Sequence, residues 1–224
     1  MKNKQEAPAR SAVRRRFLLA VPAAALLAGA CGALPDKPSR ATLYDFGPNL
    51  AAAAPAPAGA PPLPPIALAE IDANARLEST QLLYRLGYAD ANELRPYGLA
   101  RWSLPPAQLL HQRLRDALAQ RRTVLGPEES AMLARTEGQV PDTLRVTLDE
   151  FSHYFQSPAQ SMGLVRLRAT LIRRGAGGDR VMAQRSFAVQ RPAPSAEAAG
   201  GVKGLAAASD AVVAELVSWV DQVR

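Results

Sequence analysis

Residues 164–172 read LVRLRATLI, an alternation of apolar side chains with arginine and threonine. Such an alternation is typical of a β-strand with one buried face, because successive side chains point to opposite sides of a sheet. The stretch Thr143–Asp149, TLRVTLD, alternates in the same way, and Val181–Gln190 returns after a glycine-rich turn. We expect these three strands to pair as an antiparallel meander, with Phe187 and Val189 in the core.

Shorter apolar runs upstream of the meander predict further strands. Ile66–Ile71 is apolar nearly throughout, and Leu43–Phe46 is a candidate first strand. Leu82–Leu86 and Tyr97–Ser103 flank the polar bend Ala89–Glu93. Two extended segments around a polar bend predict a β-hairpin.

Two amphipathic helices complete the predicted fold. The first starts at Ser103–Pro106, where the serine is expected to cap free backbone N–H groups and proline is tolerated in the first turn. The second covers Val202–Val223. Helical spacing groups the apolar residues of each helix on one face. These are Leu110, Leu114, Ala117 and Leu118 in the first helix, and Leu205, Val212, Leu216, Trp219 and Val223 in the second. Arg113 lies on another face of the first helix. The sum is an α/β sandwich, a mixed or antiparallel sheet with two main helices packed on it.

The first 30 residues have the pattern of a cleaved signal peptide. They hold six basic residues and one acid, and Phe17–Ala30, FLLAVPAAALLAGA, carries no charge. The apolar region of a signal peptide has about 7–15 residues, whereas a membrane span needs about 20. Arg14–Leu18, RRRFL, also resembles a twin-arginine export signal, with an ordinary basic leader as the alternative.

Cys31, the single cysteine of the chain, directly follows Leu27–Ala30, LAGA, at the end of this apolar run. Small residues before a cysteine resemble a bacterial lipobox, in which the thiol accepts a diacylglyceryl group, although Ala28 stands where leucine is usual. The alternative is a chance cysteine in an ordinary cleavage region. We expect lipidation at Cys31, and two acyl chains already anchor a protein stably. The following Gly32, instead of the aspartate that favours inner-membrane retention, points to the outer membrane, facing the periplasm.

The mature chain divides into a tether and one domain. Residues 31–40 form a polar tether with an extended reach of roughly 30 Å. Residues 41–224 form the domain. Within it, residues 48–65 are rich in alanine and proline and are expected to run as a loop.

The formal net charge of +7 comes mostly from the signal peptide, because residues 31–224 keep 21 basic and 19 acidic side chains, a formal +2. This balance argues against nucleic-acid binding, which needs clustered lysine and arginine. One cysteine and two histidines, His111 and His153, are too few for a structural zinc site. We expect no metal and no cofactor.

The motifs of common enzymes are missing from the sequence, which contains neither a phosphate-binding loop nor a nucleophile-elbow motif. His153 lies near Ser152 and Ser157, but neighbours in sequence rarely form a catalytic triad. Asp149 and Glu150 are adjacent, so a strand would point them to opposite faces. We therefore expect a protein that is not an enzyme.

Four aromatic residues are candidates for contact with a lipid or a partner protein. Phe151, Tyr154 and Phe155 are expected to follow the end of a strand. One interpretation is that these three residues form the rim of the core. The alternative is that they form an interface, where exposed aromatic residues are common. Trp102 directly precedes the first helix. It is interpreted as an anchor in the core, with a contact to a partner as the alternative.

Leu83–Arg85, LYR, is followed by Tyr97–Pro106, YGLARWSLPP, which leads into the helix Gln108–Leu118. Together with the lipobox and the final helix, these segments resemble the ABC-type transport auxiliary lipoprotein family over most of residues 41–224. This family includes the outer-membrane lipoprotein of the paraquat-inducible transport system and the lipoprotein partners of Mce-domain lipid transporters.

The resemblance implies a non-enzymatic periplasmic lipoprotein subunit of an Mce-type ABC transport system that moves lipids between the inner and outer membranes. Its implied partners are an Mce-domain periplasmic protein and the ABC permease and ATPase complex, and a homo-oligomer is compatible with it. One rival is an envelope-assembly or structural outer-membrane lipoprotein without a transport role. Another is a lipid-anchored hydrolase, which is disfavoured because the sequence names no nucleophile–base pair.

Overall fold

The computed structural model describes residues 40–48, 61–137, 140–175 and 177–223. These residues belong to one unit, Arg40–Arg224. The predicted signal peptide and Cys31 lie outside the described residues. In chain order the elements are β1 (Thr42–Tyr44), β2 (Leu63–Leu68), β3 (Asp72–Ala73), β4 (Gln81–Leu86), α1 (Gly87–Asp90), β5 (Ala91–Trp102), α2 (Pro106–Ala119), β6 (Arg122–Leu125), α3 (Pro127–Glu137), β7 (Asp142–Ser157), β8 (Gln160–Gly175), β9 (Gly178–Pro192) and α4 (Ala198–Gln222).

The three longest strands, β7, β8 and β9, form the predicted antiparallel meander. Val146 of β7 lies opposite Ala169 of β8, and Val165 of β8 lies opposite Val189 of β9. The inward-facing side chains of the alternating stretches are buried, as their pattern predicts: Leu144, Val146, Leu148, Val165, Leu167, Ala169, Leu171, Phe187 and Val189.

Strand β7 is longer than the alternation predicts, because the pattern is interrupted by a bulge. The register with β8 shifts between Leu148 and Glu150. Leu148 and Phe151 are therefore both buried although they are three residues apart. The aromatic segment Phe151–Phe155 consequently lies inside β7, and the expected strand end before it is wrong.

The other edge of β7 is shared by shorter strands. Near the start of β7, β2 pairs in parallel, with Ile66 opposite Asp142. Near its end, β4 pairs in parallel, with Tyr84 opposite His153, and β3 pairs between them. Strand β6 lies outside β2, whereas β5 and then β1 lie outside β4. The nine described strands thus form one mixed sheet.

The predicted hairpin is present as β4 and β5, with Leu83 opposite Pro96 and the short α1 in the bend. Strand β1 pairs in parallel with β5, and Tyr44 lies opposite Trp102. The segment that precedes the Ala/Pro-rich stretch therefore belongs to the sheet.

Helices α2 and α4 pack on the sheet with the predicted apolar faces inward. Six residues of these faces are at most 1 % exposed, and burial of each such side chain stabilises the fold by about 1.5–3 kcal/mol: Leu110, Leu114, Leu118, Leu205, Val212 and Leu216. Among the described residues, no helix is long and apolar enough to cross a membrane.

The start of α2 and the position of Arg113 differ from the prediction. Pro105 occupies the cap position, without a side-chain capping bond, so Ser103 lies too far upstream to act as the cap. Arg113 is buried, because its guanidinium donates to the carbonyl oxygen of Phe46 at 2.8 Å and pairs with Asp210 of α4 at 3.2 Å. Periodicity within one helix does not reveal a partner on another helix.

Helix α3 was not expected, although its start carries a capping sequence. Pro127 begins the helix, and Glu128 and Glu129 lie in the first turn. The carboxylate of Glu129 accepts a hydrogen bond of 2.6 Å from the backbone N–H of Gly126. This contact is the returning half of a capping box, and proline at the first helical position agrees with it.

Candidate functional site

Trp102 and Phe151 form a buried aromatic cluster with Phe46. Both are 1 % exposed. The ring centroids are 5.7 Å apart between Phe46 and Trp102, 5.6 Å between Trp102 and Phe151, and 5.9 Å between Phe46 and Phe151. Packing at these distances favours the core interpretation, because neither Trp102 nor Phe151 offers a surface to a partner.

A second aromatic cluster surrounds His153, on the same face of β7 as Phe151. Its ring centroid lies 4.3 Å from that of Phe155, and its Nδ1 atom lies 2.8 Å from the hydroxyl of Tyr97. Tyr97 in turn packs on Tyr84 at 4.7 Å. His153 is fully buried and Phe155 is nearly so.

Burial holds His153 in its neutral form. Desolvation lowers the pKa of His153 to about 4 and raises the pKa of Tyr97. The Nε2 atom of His153 is buried without a hydrogen-bond partner among the described residues. A neutral imidazole that is closed off from solvent has no access to a substrate, so this histidine is suited to packing.

The titration of His153 is expected to make stability depend on pH. The folded pKa of about 4 lies below the ordinary value of 6.5, so the unfolded chain binds a proton that the native chain does not. The contribution of the neutral His153 to the free energy of unfolding is then fully present above pH 6.5. It is lost as the pH drops toward 4, with a slope approaching about 1.4 kcal/mol per pH unit. Urea unfolding at several pH values should show this slope in the wild type.

The variant His153→Gln is expected to lack that contribution. When the free energy of unfolding of the variant is subtracted from that of the wild type, the effect of carboxylate titration cancels, because it is common to both proteins. A difference that stays constant between pH 7 and pH 5 would contradict the assignment of the slope to His153.

The carboxylates and the serine beside His153 are used in other contacts or point elsewhere. Glu150 accepts two hydrogen bonds from Arg85, at 3.1 and 3.0 Å. Asp149 pairs with Arg168 at 3.5 Å. Ser152 is the strand neighbour of His153 and therefore points to the opposite face. Neither these carboxylates nor Ser152 therefore forms a catalytic triad with His153. No group of three metal-ligating side chains occurs in the described part of the chain.

Tyr154 differs from the other three aromatic candidates, because its side chain is half-buried and faces away from α4. Its hydroxyl lies against Gly87 of α1, where an added Cβ atom would overlap the ring. Of the four candidates, it therefore retains accessible surface for a contact.

Close packing of α4 on the meander depends on glycine. A Cβ atom at Gly163 of β8 would overlap the backbone of Gly204 and Leu205, and one at Gly201 would overlap the ring of His153. The spacing of Gly200, Gly201 and Gly204 places small residues on one helix face. This spacing is the sequence feature that could have revealed the close approach.

A groove of about 710 Å³ runs between α2 and α4. Its apolar wall includes Ala117, Val213 and Val217. The ion pair of Arg113 and Asp210 borders it, as does Asp221, which pairs with Arg121 at 2.7 Å. The groove therefore combines apolar walls with charged side chains that are held in ion pairs.

The fold and these clusters define a mixed α/β sandwich protein with an apolar core, in which His153 is buried. A family model described as the ABC-type transport auxiliary lipoprotein component matches residues 44–217, and the chain therefore belongs to this family. The matched residues run from the end of β1 to the last turns of α4. No curated protein sequence matches the chain significantly.

Solved structures share this fold at low sequence identity. Protein XCC0632 from Xanthomonas campestris, of family DUF330, is 21% identical with a TM-score of 0.66, and the alignment covers 80% of this chain and 94% of that one. An uncharacterized protein is 15% identical with a TM-score of 0.55, over 81% and 99% of the two chains.

Proposed function

We propose that this protein is a non-enzymatic lipoprotein subunit of an Mce-type ABC transport system that moves lipids between the inner and outer membranes. The observation that carries the proposal is the family match over residues 44–217, which includes the meander, α2 and most of α4. The chain would hold a partner protein in place, and the ATPase of the system would supply the energy.

The chemistry of the described residues supports a role without catalysis. His153 is buried and neutral, and Glu150 is held by Arg85. A general base needs to reach the proton that it abstracts, and a sealed imidazole does not. The half-buried Tyr154 is the aromatic residue that we assign to a partner or lipid contact.

The proposed location is the outer membrane, with the domain facing the periplasm. Cys31 follows small residues at the end of the uncharged Phe17–Ala30 segment, and Gly32 follows Cys31. A tether of residues 31–40 would keep the domain within roughly 30 Å of the membrane surface. The direct partner is then an Mce-domain protein that spans the periplasm, in complex with the permease and ATPase.

Lipidation at Cys31 is tested by Cys31→Ser. We expect the wild type to incorporate labelled palmitate and to sediment with membranes, and the variant to do neither, because the serine hydroxyl does not replace the thiol as acyl acceptor. Since two acyl chains anchor a protein stably, the redistribution should be nearly complete. A wild type that takes up no palmitate would show that the anchor assignment is wrong.

The transport role is tested by crosslinking the lipidated protein in membranes and identifying its partners by mass spectrometry. Recovery of an Mce-domain protein, with loss of that product in Cys31→Ser, is the expected result. Repeated recovery of peptidoglycan or outer-membrane assembly factors alone would instead indicate a structural lipoprotein without a transport role.

A further inference from the structure

Positive charge is concentrated in the β8–β9 hairpin. Gln160–Pro192 contains seven arginines and a single acidic residue, Asp179, a formal charge of +6. The other residues between 31 and 224 hold 14 basic and 18 acidic side chains, a formal −4. The near-neutral charge of the mature chain is therefore the sum of a strongly cationic hairpin and an acidic remainder.

Several of these arginines lie on the face of the sheet that is turned away from α4. Gly163 and Val165 of β8 are buried on the α4 side, so the alternate residues Arg166 and Arg168 face the other way. Arg174 continues the same row, and Arg145 of β7 joins it, opposite Thr170. The side chains of this cationic face, Arg145, Arg166, Arg168 and Arg174, are exposed.

The charge of this face is only partly neutralised within the domain. The strand register places Glu150 opposite Arg166 and Asp179 opposite Arg174, and Glu150 makes its ion pair with Arg85. Arg168 pairs with Asp149 at 3.5 Å, a distance typical of a loose contact. Arg145, Arg166 and Arg174 form no ion pair with any described residue. Guanidinium groups present a planar set of donors that suits phosphate oxygens, so an unpaired row of them favours a phosphate-bearing partner.

The dimensions of the cationic face fit an extended surface rather than a small ligand. Arg166 and Arg174 are eight residues apart in β8, so the row of arginines is roughly 27 Å long at about 3.4 Å per residue. β9 pairs with β8 alone among the described strands, which leaves its outer edge open. Val181, 59% exposed beside Arg180, adds an apolar side chain near the hairpin turn.

We propose that the cationic face binds the anionic phospholipid headgroups of the membrane to which the chain is anchored. This inference rests on the proposed lipid anchor, whose short tether brings the domain close to that membrane. Basic side chains near a negatively charged bilayer are attracted to it within about a Debye length, roughly 8–10 Å at physiological salt. The acyl chains would hold the protein, and the cationic face would set its orientation.

The experiment uses residues 40–224, which contain every described core residue and lack the anchor. Binding is measured by flotation with vesicles of phosphatidylcholine containing about 30 mol% phosphatidylglycerol, and with phosphatidylcholine alone, at about 0.05 and 0.5 M salt. We expect binding to the anionic vesicles at low salt, at least about tenfold weaker binding at high salt, and none to neutral vesicles.

Two triple variants, each of which loses the same positive charge, distinguish binding by the cationic face from a general attraction of the whole protein to the vesicles. Arg145, Arg166 and Arg174 changed to glutamine should weaken vesicle binding about tenfold or more. Arg76, Arg115 and Lys203, exposed residues outside this face, changed to glutamine should leave it within about twofold. Thermal midpoints establish that both variants are folded.

Equal losses in the two variants would overturn the proposal, as would failure of the wild type to bind anionic vesicles. Binding to an acidic protein in place of vesicles would also overturn it. The assay contains neither the lipid anchor nor a transport partner, so its failure is distinguishable from failure of the proposed transport role.

Discussion

Replacing Trp102 with alanine is expected to lower the free energy of unfolding by about 3–5 kcal/mol. The indole is 1 % exposed and contacts the edges of Phe46 and Phe151. Its removal leaves a cavity where β1, β5 and β7 meet, and the surrounding backbone is held by sheet hydrogen bonds and cannot fill it. Urea unfolding followed by circular dichroism measures the loss.

Two further alanine variants serve as controls for Trp102→Ala. Leu99 lies in the same strand and is 58% exposed, so Leu99→Ala should change stability by less than about 0.5 kcal/mol. Tyr154→Ala removes a half-buried ring and should fall between the two. Equal, small shifts for Trp102→Ala and Tyr154→Ala would mean that the buried cluster does not stabilise the fold as described.

Gly163→Ala is expected to destabilise the protein by about 1–3 kcal/mol or more, although it adds one methyl group. The new Cβ atom would overlap the backbone of Gly204 and Leu205. A side chain can rotate away from such an overlap, whereas a helix backbone cannot. Helix α4 must then shift off β8, which opens the contact between Leu205 and the sheet.

Gly98→Ala is the matched control for Gly163→Ala. Gly98 also lies in a strand, and an added Cβ atom there meets nothing within 4 Å. We expect its stability to stay within about 0.5 kcal/mol of the wild type. If both variants lose the same stability, the cost comes from the glycine substitution itself and not from the approach of α4 to β8.

The elements predicted most accurately are those whose environment repeats along the chain. Leu164–Ile172 keeps one face in the core and one outside it, so its alternation survives in the sequence. The apolar face of α4 was predicted for the same reason, whereas the hairpin of β4 and β5 was predicted from the polar bend between two extended segments. Helix α3 could have been predicted from Pro127 and Glu129, because the capping contact is local.

The candidate site was less predictable than the fold. The sequence indicates that Trp102 and Phe151 are aromatic residues beside strand and helix boundaries, but it does not reveal that they contact each other. That contact depends on the parallel pairing of β4 with β7 and on the bulge after Leu148. The alternation fails at such a bulge, which explains why the strand was expected to end before Phe151.

Periodicity was sufficient to predict an α/β sandwich. The lipoprotein family was indicated by the resemblance of Leu83–Arg85 and Tyr97–Pro106, together with the Cys31 motif. The tertiary structure decided the partners of the buried polar groups. Arg113 pairs with Asp210 on a distant helix, and His153 contacts the hydroxyl of Tyr97 and packs against Gly201. The arginines of β7 and β8 likewise become one cationic face when the strands pair. Local patterns record which side of an element is buried, whereas contacts between distant segments arise when the chain folds and follow no short period in the sequence.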